Sequence, residues 1–261
     1  MAPRSEPVGV ILAGGLGRRI GGAKAIVELC GRPLIAYPMY ALRAVLTDVA
    51  IVGKPDTELP SLPGAAVWSE PALPRHPLVG ILHALGMAAG RPVLVCAGDL
   101  PFVTPALIER IARASRAPAA RRAAAASRAA AASRAAAASR IPDQDLTPGR
   151  TGSAGADPGP SLAVLAACGG AAQPLLGCYE PGAAEPLASA LAEAAQGARL
   201  PTMREAVAAL GPRLLEVGDE DGDALFNVNC AQDLLRAEAM LAANSAEREV
   251  VGADARRQLH G

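Results

Sequence analysis

This sequence predicts a three-layer α/β fold with a mostly parallel central sheet, on two observations. Short apolar runs of strand length alternate along the chain with segments of helical periodicity. The runs and intervening helices have the lengths of a parallel sheet covered on both faces. The size agrees: 261 residues, 51% of them hydrophobic, suffice for one such domain with a large core. Only 2% are aromatic, so Ala, Leu and Val must fill that core.

Val8 to Leu12 is the first predicted strand, and it ends at Ala13-Gly14-Gly15. Pro33 to Thr47 reads as a helix, with Pro at its start and apolar residues at helical spacing. Val49 to Val52 is a second buried strand, and Val67-Trp68 a weaker third. A helix over Leu78 to Ala89 leads to an apolar strand, Val93 to Cys96, which runs into Gly98-Asp99. Thr104 is placed to cap a helix that has Pro105 in its first turn and continues through Ala114.

The alternation then breaks. Arg122, Arg128, Arg134 and Arg140 are separated by AAAAS in a six-residue repeat. Ala and Arg favour helix. A step of six, however, turns each Arg by about 240°, so no continuous apolar stripe forms. This segment reads as an insertion, with a basic docking arm as its functional alternative, and each unit is too short for a solenoid. Ile141 to Pro160 is rich in Pro, Gly, Asp, Ser and Thr and reads as linker. Order resumes with strand-like runs at Leu162 to Leu165 and Pro174 to Tyr179. Two helices follow, Ala183 to Ala195 and Thr202 to Leu210, the second capped by Thr202. Leu214 to Val217 is a short strand, Ala231 to Ala243 a final helix, and Asn244 to Gly261 a frayed polar tail. The expected organisation is one domain over residues 1–261, with an insertion at 116–160 and a flexible tail at 244–261.

Lys+Arg and Asp+Glu both number 25, so the formal charge is zero. Nucleic-acid binders usually carry a basic excess, and none is expected here. Cys30, Cys96, Cys168, Cys178 and Cys230 are scattered, odd in number and without zinc-ligand spacing, so reduced thiols in the cytoplasm are expected. The first residues do not form a signal-peptide pattern, and no apolar run reaches the roughly 18 residues of a membrane span.

The segment from Leu12 to Lys24 carries the chemistry. Five glycines lie between Gly14 and Gly22, which lets backbone N–H groups approach and cradle phosphate oxygens. Arg19 and Lys24 add positive charge for a triphosphate. The dinucleotide fingerprint G-x-G-x-x-G fails because its third glycine falls on Ile20. The P-loop pattern fails because Ala23 stands where it needs Lys. Asp99 stands at the carboxyl end of a buried strand, the edge at which open α/β sheets bind ligands. A hard cation bridging phosphates wants an oxygen ligand of this kind.

The loop resembles the nucleotidyltransferase signature L-A-G-G-x-S-x-R-M-G-x-D-K. Within that group it looks most like the molybdenum cofactor guanylyltransferase family, because Gly14-Gly15 stands where cytidylyl and sugar-nucleotide relatives more often carry Ala-Gly. Leu12, Ala13, Gly14, Gly15, Arg19, Gly21 and Lys24 match, while Gly17, Ile20 and Ala23 depart from the pattern. Asp99 and Pro101 fit that family's C-D-x-P. Pro77, Leu78 and Gly80 fit its G-P-L-A-G, with Glu70 upstream where an acid is expected and His76 replacing a glycine as a solvent-facing loop residue. Phe226-Asn227-Val228-Asn229 resembles its F-x-N-[VI]-N, and Gln173-Pro174 its short segment near the acceptor. Read from the residues alone, the two Asn could equally form a turn and helix cap.

The resemblance implies a Rossmann-like sheet of the nucleotide-diphospho-sugar transferase type. It implies transfer of GMP from GTP to Mo-molybdopterin with release of pyrophosphate. Arg19, Lys24 and Asp99 would be catalytic. Leu12, Ala13, Gly14, Gly15, Lys24, Glu70 and Asp99 would bind nucleotide. Asp99 would hold Mg²⁺, and Gln173, Asn227 and Asn229 would face the acceptor. Partners would be these substrates, with transient contact to molybdoenzymes or cofactor-insertion proteins, and neither nucleic acid nor membrane. The alternatives are a nucleotidyltransferase with another acceptor (cytidylyl-molybdopterin, phospholactate or sugar phosphate) and a non-catalytic nucleotide binder.

Overall fold

The computed structural model describes residues 6–15, 24–116, 161–197 and 199–258. Most of the glycine loop, with Gly17, Arg19 and Ala23, lies outside the described residues, as do the Arg/Ala repeat and the linker after it.

Among the described residues, seven strands form one sheet in the order β5-β4-β1-β6-β8-β7-β9. They are β1 (Val8–Leu12), β4 (Val49–Gly53), β5 (Ala66–Ser69), β6 (Val93–Ala97), β7 (Ala163–Cys168), β8 (Ala171–Tyr179) and β9 (Arg213–Glu216). Strands β1, β4, β5 and β6 run parallel, and β7 pairs parallel with β9. Strand β8 is antiparallel to both neighbours, β6 and β7. A separate small hairpin joins β2 (Glu28–Leu29) and β3 (Arg32–Pro33).

The side-chain period of two sorts the core into layers. Val8 and Val10 of β1 face a cluster with Leu78, Ile81 and Leu85 of helix α2 (Pro77–Met87), Leu187 of α4 (Ala184–Ala195) and Val207 of α5 (Met203–Ala208). Ile11 faces the opposite cluster, with Met39 and Leu42 of α1 (Ala36–Arg43) and Leu107, Ile108 and Ile111 of the helix α3 over 105–116. Helices therefore cover both faces, and the predicted three-layer α/β class is observed. A third cluster seats Leu29 and Leu34 of the small hairpin against Val228 and Ala237 of α6 (Ala231–Gln258).

Several elements differ from the sequence expectation. The helix expected from Pro33 begins at Ala36, because Pro33 is drawn into β3 and Leu34 donates its N–H to Val27. It ends at Arg43 rather than Thr47. The last helix does not stop at Ala243 but continues through the expected tail to Gln258, a stretch with no Pro and many Ala, Glu and Arg. The two strands after the insertion pair directly as a hairpin. Gly169 and Gly170 both have positive φ, 56° and 75°, the conformation a two-residue hairpin turn requires. The caps agree with expectation: Thr104 Oγ1 accepts from Leu107 N at 3.1 Å, and Thr202 forms a capping box with Glu205.

The hairpin carries an irregularity that shapes the site. Its register jumps from Leu165 opposite Gly177 to Ala166 opposite Gln173, so Pro174, Leu175 and Leu176 bulge out of the β7 pairing. Pro174 has no N–H to contribute there. The buried Tyr179 hydroxyl donates to the Pro174 carbonyl at 2.6 Å and pins the bulge. At Gly177 an added Cβ would lie 2.6 Å from the Val164 carbonyl oxygen, so only glycine fits.

Candidate active site

Four adjacent parallel strands deliver four groups to one edge of the sheet. Strand β1 ends into Gly14, β4 into Lys54, β5 into Glu70 and β6 into Asp99. β1 sits where the strand order reverses, with β4 on one side and β6 on the other, and ligands of open α/β sheets bind at that point. Backbone bonds hold the edge: Ala13 N donates to Val52 O at 2.8 Å and Gly98 N to Leu12 O at 3.1 Å.

These ends enclose a hollow of about 300 Å³ lined by Leu12, Ala13, Gly14, Gly15, Lys24, Lys54, Glu70, Arg75, His76 and Asp99, among others. All the residues expected to bind nucleotide are in it. Arg19 lies outside the described residues. At one end the Lys24 ammonium donates to Asp99 Oδ2 and, at 2.8 Å, to Asn229 Oδ1. Asp99 Oδ1 is buried and accepts no hydrogen bond. Such an unspent carboxylate oxygen suits a divalent cation. Among the described residues no group of three or more His, Cys, Asp or Glu clusters to hold a metal. Asp99 could contribute one oxygen to such a cation. Cys96, behind it, is inert: burial, and then the charge of Asp99, push its thiol up.

At the other end sit Glu70 and Lys54, each 5% exposed. Lys54 Nζ donates to the carbonyls of Pro71 at 2.7 Å and Pro74 at 3.1 Å, and lies 3.3 Å from Glu70 Oε2. That approach is an ion pair, and Oε2 itself is buried. Burial raises the Glu70 pKa above the ordinary carboxylate value, against the lowering pull of Lys54, His83 and Arg75. The glycines around it leave room for the carboxylate. A Cβ at Gly14 would stand 2.9 Å from Glu70 Oε1, and one at Gly80 would stand 3.2 Å from Oε2.

His76 is not the solvent-facing loop residue its position suggested. It is half-buried at the N-cap of α2, where its Nδ1 accepts from Leu78 N at 3.3 Å, and it lines the hollow. Desolvation lowers its pKa, with a hydrogen bond to the Pro201 backbone opposing. Lys54 escaped the sequence reading. Its signal was the one that singled out Asp99, a charged residue just past the carboxyl end of a buried strand.

A second hollow, of about 350 Å³, adjoins the first at Leu175, which lines both. The β8 bulge supplies Gln173, Pro174 and Leu176 to it, and Asn227 and Arg204 complete its polar wall. The two expected asparagines thus divide the work, Asn227 lining the second hollow and Asn229 engaging Lys24. Neither side chain caps α6. Asp233 does so instead, accepting from the backbone N–H of Asn229 at 2.8 Å and of Cys230 at 3.0 Å. Val228 N bonds the Asp99 carbonyl at 3.0 Å, and Phe226 packs edge-on against Phe102 at 5.9 Å. These contacts hold the Asn segment against the strand β6 edge.

A family model described as the MobA-like NTP transferase domain matches residues 9–210. The chain belongs to this family. Among curated relatives of the MobA-like chain, a molybdenum cofactor guanylyltransferase from Rhodobacter capsulatus is 40% identical over 121 residues, 42% of this chain and 60% of that protein. A probable molybdenum cofactor guanylyltransferase from Mycobacterium bovis is 37% identical over 118 residues, 43% of this chain and 59% of that protein. The chain thus spans about 60% of the length of the curated relatives it matches. The fold is that of molybdopterin-guanine dinucleotide biosynthesis protein A from Archaeoglobus fulgidus, at TM-score 0.62 and 23% identity, covering 90% of this chain and 98% of that one. It is also that of 2-C-methyl-D-erythritol 4-phosphate cytidylyltransferase from Thermus thermophilus, at TM-score 0.53 and 20% identity over 90% and 98%. The three-layer α/β fold is therefore one this chain shares with both proteins.

Proposed function

We propose that this chain is a Mg²⁺-dependent guanylyltransferase that moves GMP from GTP to Mo-molybdopterin, forming molybdopterin guanine dinucleotide and pyrophosphate. The observation that carries the reading is the Lys24 ammonium held between Asp99 and Asn229 at the sheet's switch point, beside an unspent Asp99 oxygen. The names of the curated relatives support the choice of base and acceptor.

In this reading GTP lies in the first hollow and the acceptor in the second. The acceptor's terminal phosphate oxygen attacks the α-phosphorus in line. A new phosphoanhydride forms, the bond from the α-phosphorus to the bridging oxygen breaks, and pyrophosphate leaves with that electron pair. The nucleophile is already anionic, so positioning and charge compensation suffice. Lys24 and Arg19 steady the triphosphate. Gly14 and Gly15 let backbone approach it. Glu70 contacts the nucleoside. Gln173, Asn227 and Asn229 orient the acceptor. Asp99 would hold a divalent cation, which would supply charge neutralisation for the phosphates. The setting is cytoplasmic, a reading the five free thiols support. The organisation is a single transferase domain over 1–261 with an insertion at 116–160. Replacing residues 117–160 by a short Gly/Ser linker should leave turnover intact.

The test is pyrophosphate release by the full chain with Mg²⁺ and Mo-molybdopterin, comparing GTP, CTP and ATP. Release with GTP alone is expected. Release with CTP alone would move the chain to cytidylyl transfer, and none with any triphosphate would refute transferase activity on this acceptor.

A further inference from the structure

Lys54 is a charged residue that no step above uses, yet it is almost entirely buried at the wall of the nucleotide hollow. An unpaired ammonium at such a depth is costly, and charges persist there only with partners. Its partners are specific. Two of its donors go to Pro71 and Pro74 carbonyls, in the loop that carries Arg75 and His76 into the hollow. Its charge faces Glu70 at 3.3 Å. Its own backbone N–H is fixed by Thr57 Oγ1 at 2.8 Å, and Glu70 N donates to Gly53 O at 2.9 Å, so both backbones are anchored side by side. Apart from the Lys54 contact, the buried Glu70 Oε2 has no hydrogen-bond partner among the described residues. Glu70 lines the hollow, and the lack of a Cβ at Gly14 and at Gly80 leaves room for its Oε1 and Oε2 respectively.

We propose that Lys54 is a positioning residue for the nucleotide, holding the Glu70 carboxylate fixed and charged so that it accepts a donor group of the bound nucleoside triphosphate. The inference rests on the nucleotide-binding part of the reading above and not on the identity of the acceptor. Three cationic or titratable groups bear on Glu70: Lys54 from the end of β4, His83 from α2 and Arg75 from the intervening loop. Arg75 is already paired with Asp56. Lys54 is the one in ion-pair range, so its loss leaves a buried carboxylate that protonates more easily. Protonated Glu70 would offer a donor where the nucleotide offers one too.

The experiment is equilibrium binding of GTP to the full chain with Mg²⁺, without acceptor, from about pH 6 to pH 9, for wild type, K54M, E70Q and K54M/E70Q. K54M is expected to weaken GTP at least ~tenfold near neutral pH. The loss should shrink as pH rises, because Glu70 then ionises unaided. The double variant should bind no worse than E70Q, since Lys54 acts through Glu70. Unchanged affinity in K54M, a loss equal at every pH, or a double variant weaker than E70Q would each overturn the proposal. Should K54M fail to fold, E70Q against K54M/E70Q decides it, because the double variant buries no charge at this pair. Wild-type chain that binds no triphosphate would refute both this inference and the functional reading, whereas wild-type binding with an unaffected K54M refutes this inference alone.

Discussion

Tyr179→Phe isolates one hydrogen bond and asks what it does for the acceptor hollow. The Tyr179 side chain is fully buried, and its hydroxyl donates to the Pro174 carbonyl at 2.6 Å. Phenylalanine keeps the ring and its packing, so the loss is the bond and the stranded carbonyl. A buried acceptor left without its donor costs about 1–3 kcal/mol. For a domain of this size each kcal/mol lowers Tm by roughly 2–4 °C, so a fall of roughly 2–12 °C is expected. The functional effect should be lopsided. Pro174, Gln173 and Leu176 line the second hollow, whereas the first is built mainly from the ends of β1, β4, β5 and β6. KM for the acceptor should therefore rise while GTP affinity stays unchanged. Thermal melts, steady-state kinetics with varied acceptor and direct GTP titration measure the three quantities. A Tm equal to wild type, or a loss of GTP affinity matching the loss for acceptor, would refute the argument that this bond pins the bulge for the second hollow.

Asp99→Asn keeps the size of the side chain and removes its charge, and turnover should fall on the order of 10²-fold or more while the melt changes little. Normal pyrophosphate release from that variant would remove Asp99 from the chemistry. Gly177→Ala forces a methyl to 2.6 Å from the Val164 carbonyl, so about 1–3 kcal/mol of stability should be lost by urea unfolding. Glu205 titrates at about 2, held down first by Arg199 and then by the Thr202 backbone and hydroxyl. A depressed carboxylate stabilises the fold above its unfolded pKa and loses that stabilisation as pH falls through the folded one. The stability gap between wild type and Glu205→Gln should thus be open at pH 7 and close toward pH 2, which urea melts across that range would follow.

Much of the fold was legible because its signals are local. The apolar runs of β1, β4 and β6 announced buried parallel strands, and Thr104 and Thr202 announced the helices they cap. The β7–β8 hairpin was equally local, written in Gly169-Gly170, but the flanking runs alone left its antiparallel pairing undetermined. The early helix was misjudged because the same residues Arg32 and Pro33 could pair with Glu28 and Leu29, a choice that depends on α6 packing over the hairpin. At the site, residues carried by a patterned loop or strand end were found, and Lys54 and the capping role of His76 were not. Nothing in a single Lys after a strand tells whether it turns to solvent or into a hollow.

The sequence by itself determined which segments could be strands and helices, where backbone could approach a phosphate, and which strand end carried an acid. Those properties reside in spacing over a few residues. Only the tertiary structure decided that Lys24 meets Asp99, 75 positions away, and Asn229, 205 positions away. It alone decided that Glu70 faces Lys54 beneath Gly14. Such meetings follow from strand order, and strand order is set by how whole layers bury their apolar faces rather than by the residues that meet.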